Sequence, residues 1–198
     1  MKLLVITMLY EPDCVGIAAI ATDMCRSLVA RGHDVTVYTT YPYYPEWKQK
    51  SAADHWKISN EIVAGVKVRR HGLYVPRHPS RLVPRLLHEL SFPISLMRSL
   101  FSRERFDAVM VFCPLLGSVA FASTRRLLRR EPLWLNIQDI PAEAGTATGI
   151  NKSRVFSQVA SAVQRWLFKA ADVSSSISPE MVKHLTAARY ASTTPHLC

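Results

Sequence analysis

The sequence predicts an α/β fold, a Rossmann-like parallel sheet with helices on both faces. Short apolar runs too brief for helices recur along the chain, and each is followed by a stretch with helical spacing. The first strand, helix and strand close within about 40 residues, the length that a parallel pair needs for its crossover. With 198 residues, 48% of them apolar and 20% charged, the chain is long enough for one domain with a substantial core.

Each element has its own signal. Residues 2–8 (KLLVITM) read as a buried strand. Residues 17–31 place Ile17, Ala21, Met24, Cys25 and Leu28 at helical spacing, and Gly32 ends that helix. Residues 33–40 (HDVTVYTT) are β-branched and strand-like. An aromatic, proline-rich loop follows at 41–47 (YPYYPEW), then a hairpin in EIVAGVKVRRHGLYV with its turn at Ala64-Gly65. The stretch SRLVPRLLHELSFPISLMRSLF mixes aliphatics with Arg81, Arg85 and Arg98; Pro84 and Pro93 are expected to break it into pieces.

Strand and helix then alternate again. Residues 106–112 and 132–138 (PLWLNIQ) read as strands, each followed by a helix, at about 117–130 and near 153–170. RRLLRR at 125–130 reads as a solvated helix end favoured by the helix dipole. Residues 172–177 form a last strand, and Pro179 opens a helix reaching about Ala187. The tail 188–198 (ARYASTTPHLC) shows neither periodicity nor a strand and is expected to be irregular, which makes 1–187 the domain.

Twenty-five Lys and Arg against 15 Asp and Glu give a net charge of +10, mostly from arginine, which suits a polyanionic partner. Between residues 69 and 105 there are eight arginines and two acids, a local balance of 8 − 2 = +6. Arg81, Arg85 and Arg98, set among aliphatics, fit a helix at an anionic membrane surface; a core-facing helix with a basic rim fits equally. Nucleic acid is not expected, because no recognition motif accompanies the charge. The four cysteines are scattered and the seven histidines show no ligand pair, so no metal is assigned and a reduced, cytosolic protein is expected. The N-terminus carries no cleavage site of small residues, and no run approaches a membrane span.

Ligands of an open parallel sheet collect beyond the carboxyl ends of its strands. The segments expected there are the opening loop, 9–16, the aromatic loop, Cys113-Pro114, residues 138–149 and Ser178-Pro179. Gly16 either lets a ligand approach the backbone of the first helix or is an ordinary turn glycine. Neither G-x-G-x-x-G nor a P-loop is present, which argues against a dinucleotide cofactor. Glu11 and Asp13 beside Gly16 would repel a pyrophosphate but can accept hydrogen bonds from sugar hydroxyls. Asp139, which follows Gln138 at a strand end, is either an acid/base or acceptor-orienting group, or a loop-stabilising carboxylate. Tyr43, Tyr44 and Trp47 either stack on sugar faces or a lipid carrier, or stiffen a surface loop.

Taken in order, VITMLYEPDCVGIA, the segment through DVTVYTTYPYYPEW, GVKVRRHGLYVPRHPS, NIQDIPAEAGTATGI and VSSSISPEM resemble family 4 glycosyltransferases over residues 1 to about 188. The nearer likeness is to the bacterial subgroup associated with colanic acid and other exopolysaccharides. The resemblance implies a GT-B architecture, in which an N-terminal domain binds the acceptor and a C-terminal domain grips the nucleotide sugar. It also implies transfer with retention and without a bound metal, to a lipid-linked saccharide at the cytoplasmic face of the inner membrane. By position, Gly16, Glu11 and Asp13 would line the cleft, Gln138 and the candidate catalytic Asp139 would sit by the reacting centre, and Tyr43, Tyr44 and Trp47 would lie on the acceptor side. Many relatives carry two adjacent glycines where this chain has Val15-Gly16. The chain is expected to end where the donor domain begins, so that it acts as the acceptor half and is inactive alone. The alternative is a non-catalytic membrane- or partner-binding module that complements a separate donor-binding domain.

Overall fold

The computed structural model describes residues 1–50, 56–113, 115–140, 154–190 and 195–197. The chain divides into two compact units, Met1–Val109 and Met110–Cys198.

In the first unit, β1 (Lys2–Ile6) and β2 (Asp34–Thr40) flank α1 (Ile17–Ala30), and β3 (Ser59–Val63) and β4 (Val66–His71) form the hairpin. The strand order is β3-β4-β2-β1. β2 runs parallel to both neighbours, with Ile6 opposite Tyr38 and Thr40 opposite His71, and β3 is antiparallel to β4. Buried Leu4, Val5, Ile6, Val35 and Val37 explain why β1 and β2 read as apolar runs. The hairpin turn falls at Ala64 and Gly65, whose φ values of 50° and 82° are the two left-handed residues of a tight hairpin. A Cβ on Gly65 would also meet Val29 of α1 at 3.1 Å.

The proline-broken stretch is instead one helix, α2 (Leu82–Met97), extended by a 3-10 turn, Arg98–Phe101. Pro84 lies in the first turn, where a missing N–H leaves nothing unbonded; only Pro93 is interior and forfeits a helical bond. α2 packs on β4.

The second unit contains β5 (Ala108–Cys113), α3 (Leu116–Arg129), β6 (Leu133–Ile137), α4 (Arg154–Phe168), β7 (Val173–Ser176) and α5 (Pro179–Ala187). Its strand order is β5-β6-β7-β8, where β8 is His196–Leu197 of the tail, with β6 and β7 parallel. Ser178 caps α5 by accepting from the Met181 N–H at 3.1 Å, with Pro179 in the first turn. Within the tail, β8 (His196–Leu197) pairs in parallel with β7. RRLLRR is not a purely solvated end. Arg125 is completely buried and makes a two-pronged bond to Glu131, both contacts 2.7 Å, while Arg126 pairs with Asp172. The α/β class is as expected, built from parallel strands with flanking helices.

Candidate functional site

The loop after β1 and the loop after β2 meet in the first unit. Thr7 turns the chain by donating to the Leu9 carbonyl at 2.9 Å, and the Asp13 N–H returns to the Tyr10 carbonyl at 3.1 Å. The Thr40 hydroxyl, at the end of β2, donates to the Met8 carbonyl at 2.8 Å. Asp13 completes the junction. Its side chain is buried, and one oxygen accepts from the Tyr43 and Tyr44 N–H groups at 3.3 Å each. Lys50 reaches its other oxygen at 3.0 Å and also pairs with Glu46. Asp13 therefore anchors the aromatic loop. Glu11 points elsewhere, toward Arg26 at 2.7 Å, and its backbone carbonyl accepts from Arg70 at 2.6 Å.

Tyr43, Tyr44 and Trp47 form one edge-to-face cluster, with ring centroids 5.6 Å apart for Tyr43–Trp47 and 6.3 Å for both Tyr44 contacts. Tyr43 is buried, which pushes its phenol well above the usual range; Tyr44 and Trp47 are half-buried. Two residues of α2 hold this cluster: Arg85, which the sequence placed at a membrane surface, and His88, which it did not single out. The Arg85 guanidinium lies 5.2 Å from the centre of the Trp47 ring and bonds Glu89 at 2.9 Å. His88, fully buried, packs 5.0 Å from Trp47, with Nε2 3.2 Å from the Tyr43 hydroxyl and Nδ1 2.8 Å from the Tyr74 carbonyl. Burial lowers the His88 pKa and so favours the neutral ring, in which Nδ1–H donates to Tyr74 and Nε2 accepts from Tyr43. A signal for this was available. Arg85, His88, Ser91 and Ser95 recur at helical spacing, a polar face inside an aliphatic segment.

Gly16 caps the start of α1 with φ 61° and ψ −128°, a conformation almost confined to glycine. Nothing lies within 4 Å of where its side chain would be, so the backbone there is open. The first turn of α1 begins here, with the Ala18 N–H bonded back to the Val15 carbonyl at 3.3 Å.

In the second unit, β6 delivers Gln138 and Asp139 to its carboxyl end. Gln138 donates to the Asn136 side chain at 3.1 Å, and Asn136 donates to Ser175 at 3.0 Å. Asp139 is exposed and accepts from the Ile140 N–H at 2.8 Å. Cys113, at the end of β5, is buried; burial raises its thiol pKa far above normal, and the Asp139 charge raises it further. Pro114 and residues 141–149, also among the expected cleft segments, lie outside the described residues.

The arginines chosen for a membrane divide. Arg81 precedes α2 and is exposed, whereas Arg85 is engaged with Trp47 and Glu89, and Arg98 donates to the Trp56 carbonyl at 3.2 Å. Among the described residues no helix is long and apolar enough to cross a membrane, and no group of three or more His, Cys, Asp or Glu is placed to hold a metal ion.

A model of the glycosyl transferase 4-like domain matches residues 15–195. The chain belongs to this family. It is 33% identical over 187 residues to WcaI of Escherichia coli (strain K12), named as a colanic acid biosynthesis glycosyl transferase. That alignment covers 92% of this chain and 46% of WcaI, so the chain spans about half the length of the curated relative it matches. Among solved structures, sucrose-phosphate synthase from Thermosynechococcus elongatus superposes with a TM-score of 0.64 at 12% identity, covering 99% of this chain and 47% of that one. The catalytic domain of starch synthase IV from Arabidopsis thaliana, bound to ADP and acarbose, superposes with a TM-score of 0.59 at 11% identity, covering 99% and 51%. At these identities the two structures speak to the GT-B fold alone.

Proposed function

We propose that this glycosyl transferase 4-like chain is the acceptor-binding half of a retaining enzyme. The enzyme moves a sugar from a nucleotide sugar to a lipid-linked saccharide in exopolysaccharide or cell-envelope synthesis. The observation that carries the reading is the Tyr43–Tyr44–Trp47 cluster, fixed beside the Gly16 loop by Asp13, Arg85 and His88. Half-buried aromatic faces on a rigid loop suit the apolar C–H faces of a saccharide, and a preset loop loses little entropy on binding.

Gly16 leaves the start of α1 open to a phosphate or sugar oxygen. Gln138 and Asp139 stand at a strand end, where an exposed carboxylate orients an acceptor hydroxyl or takes its proton. The grip on the nucleotide is assigned to the half of the relatives that this chain does not span. The 198-residue polypeptide assayed by itself should therefore give no transfer.

The test is saccharide binding by the 198-residue chain, followed by tryptophan fluorescence with short oligosaccharides. Binding that perturbs the emission and is lost in Trp47→Ala supports the reading. Nucleotide binding without saccharide binding would overturn it.

A further inference from the structure

α2 is folded with its polarity reversed. The side toward the protein carries His88, Ser91, Ser95 and, in the 3-10 turn, Ser99, all buried along with Phe92 and Leu96. The serines have work there: Ser91 accepts from the Tyr74 N–H at 2.9 Å and Ser95 from the Gly72 N–H at 3.0 Å. They satisfy the backbone that leaves β4, which has no strand neighbour to do so. The outward side is aliphatic and aromatic. Val83, Leu87, Leu90, Ile94, Met97 and Phe101 follow one another at steps of four and three, and are 65, 52, 56, 66, 46 and 89% exposed. That spacing is a single continuous stripe running the length of the helix.

Six large apolar side chains in one stripe form a contiguous patch, which a protein surface does not normally leave to water. Its surroundings say what covers it. Arg77 and Arg81 precede the stripe and Arg103 and Arg105 follow it; all four are exposed, and among the described residues none has a carboxylate partner. The one carboxylate within α2, Glu89, is already bonded to Arg85. A protein partner would have to desolvate four arginines or answer each with an acid. A bilayer with anionic headgroups takes the apolar stripe into its acyl boundary and the arginines at its phosphates together. Trp56, 58% exposed, has its backbone held by Arg98 at the far end of the helix, and tryptophan favours the same boundary.

We infer that the outward face of α2 is a docking surface for an anionic lipid bilayer, with the apolar stripe inserted and Arg77, Arg81, Arg103 and Arg105 at the headgroups. The inner face of the same helix grips the aromatic loop through Arg85 and His88. The lipid surface and the proposed saccharide site are thus two sides of one rigid element. This last step rests on the acceptor-binding reading above; the docking surface itself does not.

The test is co-sedimentation of the 198-residue chain with vesicles of phosphatidylcholine alone and of phosphatidylcholine mixed with phosphatidylglycerol. Binding to the mixed vesicles is expected, weakened by salt. It should fall by about tenfold or more in Leu87→Ser/Leu90→Ser/Ile94→Ser, and similarly in Arg81→Glu/Arg103→Glu/Arg105→Glu. The exposed strand residue provides a control, since Ile62→Ser should bind like the parent, and a thermal melt checks that each variant folds. No binding to either vesicle, binding indifferent to the stripe, or a stripe that instead drives self-association of the chain would each overturn the inference. Oligosaccharide binding measured in the same variants without lipid separates the two readings. The serine variant should keep it, and its absence in the parent would count against the acceptor site while leaving the lipid result intact.

Discussion

The Tyr43 hydroxyl and His88 Nε2 lie 3.2 Å apart in a fully buried contact that ties the loop after β2 to the middle of α2. In the neutral ring whose Nδ1–H bonds the Tyr74 carbonyl, Nε2 is the acceptor for the phenol. Tyr43→Phe should cost roughly 1 kcal/mol, the size of one hydrogen bond whose partner stays behind unpaired. His88→Ala also opens a cavity under Trp47 and leaves the Tyr74 carbonyl unbonded, so roughly 2–4 kcal/mol is expected. Urea unfolding measures both. Oligosaccharide affinity should follow the same order, with His88→Ala the weaker binder.

His71 is a second buried imidazole, and it sets a pH window. Burial, reinforced by the charges of Arg69 and Arg98, lowers its pKa to about 4, against a contact with the Ser95 carbonyl that acts the other way. The unfolded chain takes up this proton at about 6.5, so between the two values it holds more protons than the folded one and stability rises with pH. The contribution is complete above about 6.5 and is lost as pH falls toward 4; by itself it is worth roughly 3 kcal/mol. Burial moves His88 the same way. Urea midpoints should therefore drop between pH 7 and pH 5, and His71→Gln should flatten that drop. An unchanged slope would place the acid sensitivity elsewhere.

Arg125 and Glu131 form a pair with side chains 0 and 2% exposed, joined by two 2.7 Å bonds. Breaking it strands a charge in the interior. Arg125→Met should destabilise by about 3–5 kcal/mol, and Arg125→Met/Glu131→Leu should recover most of that loss. A denaturation cycle over the two single variants and the double variant measures the coupling.

The limits of the sequence reading are clearest at α2 and at Arg125. Strands and helices were legible because periods of 2 and 3.6 are local properties, and nearly every expected element lies within a few residues of its place. Local too were the Ala64-Gly65 turn and the helix opened by Pro179. Periodicity marks an amphipathic helix without saying which side is inside. In α2 the strand exit at residues 72–74 needs acceptors, so serines face inward and aliphatics outward, contrary to the usual rule. Pro84 does not break the helix either, because it sits in a first turn where its missing N–H has no consequence. Arg125 was unreadable for a different reason. Its partner lies beyond the helix end, brought round by the left-handed Arg130 at φ 58°, and a run of arginines gives no hint of which one turns in.

Gly16 is the position where two readings of the sequence make opposite demands. An ordinary turn glycine matters only through its backbone: φ 61° with ψ −128° strains any other residue, so Gly16→Ala should cost about 1–3 kcal/mol whatever binds nearby. A close-approach glycine matters also through the open space beside it, where no protein atom lies within 4 Å of a Cβ. The two effects separate on ligand affinity. In a polypeptide extended to the full length of its relatives, the methyl of Gly16→Ala would project into that open space, where the proposed function puts a ligand. Affinity should then fall at least tenfold, about 1.4 kcal/mol, while the melt shows the variant still folded at the assay temperature. Affinity unchanged beside the expected loss of stability would make Gly16 a turn residue alone.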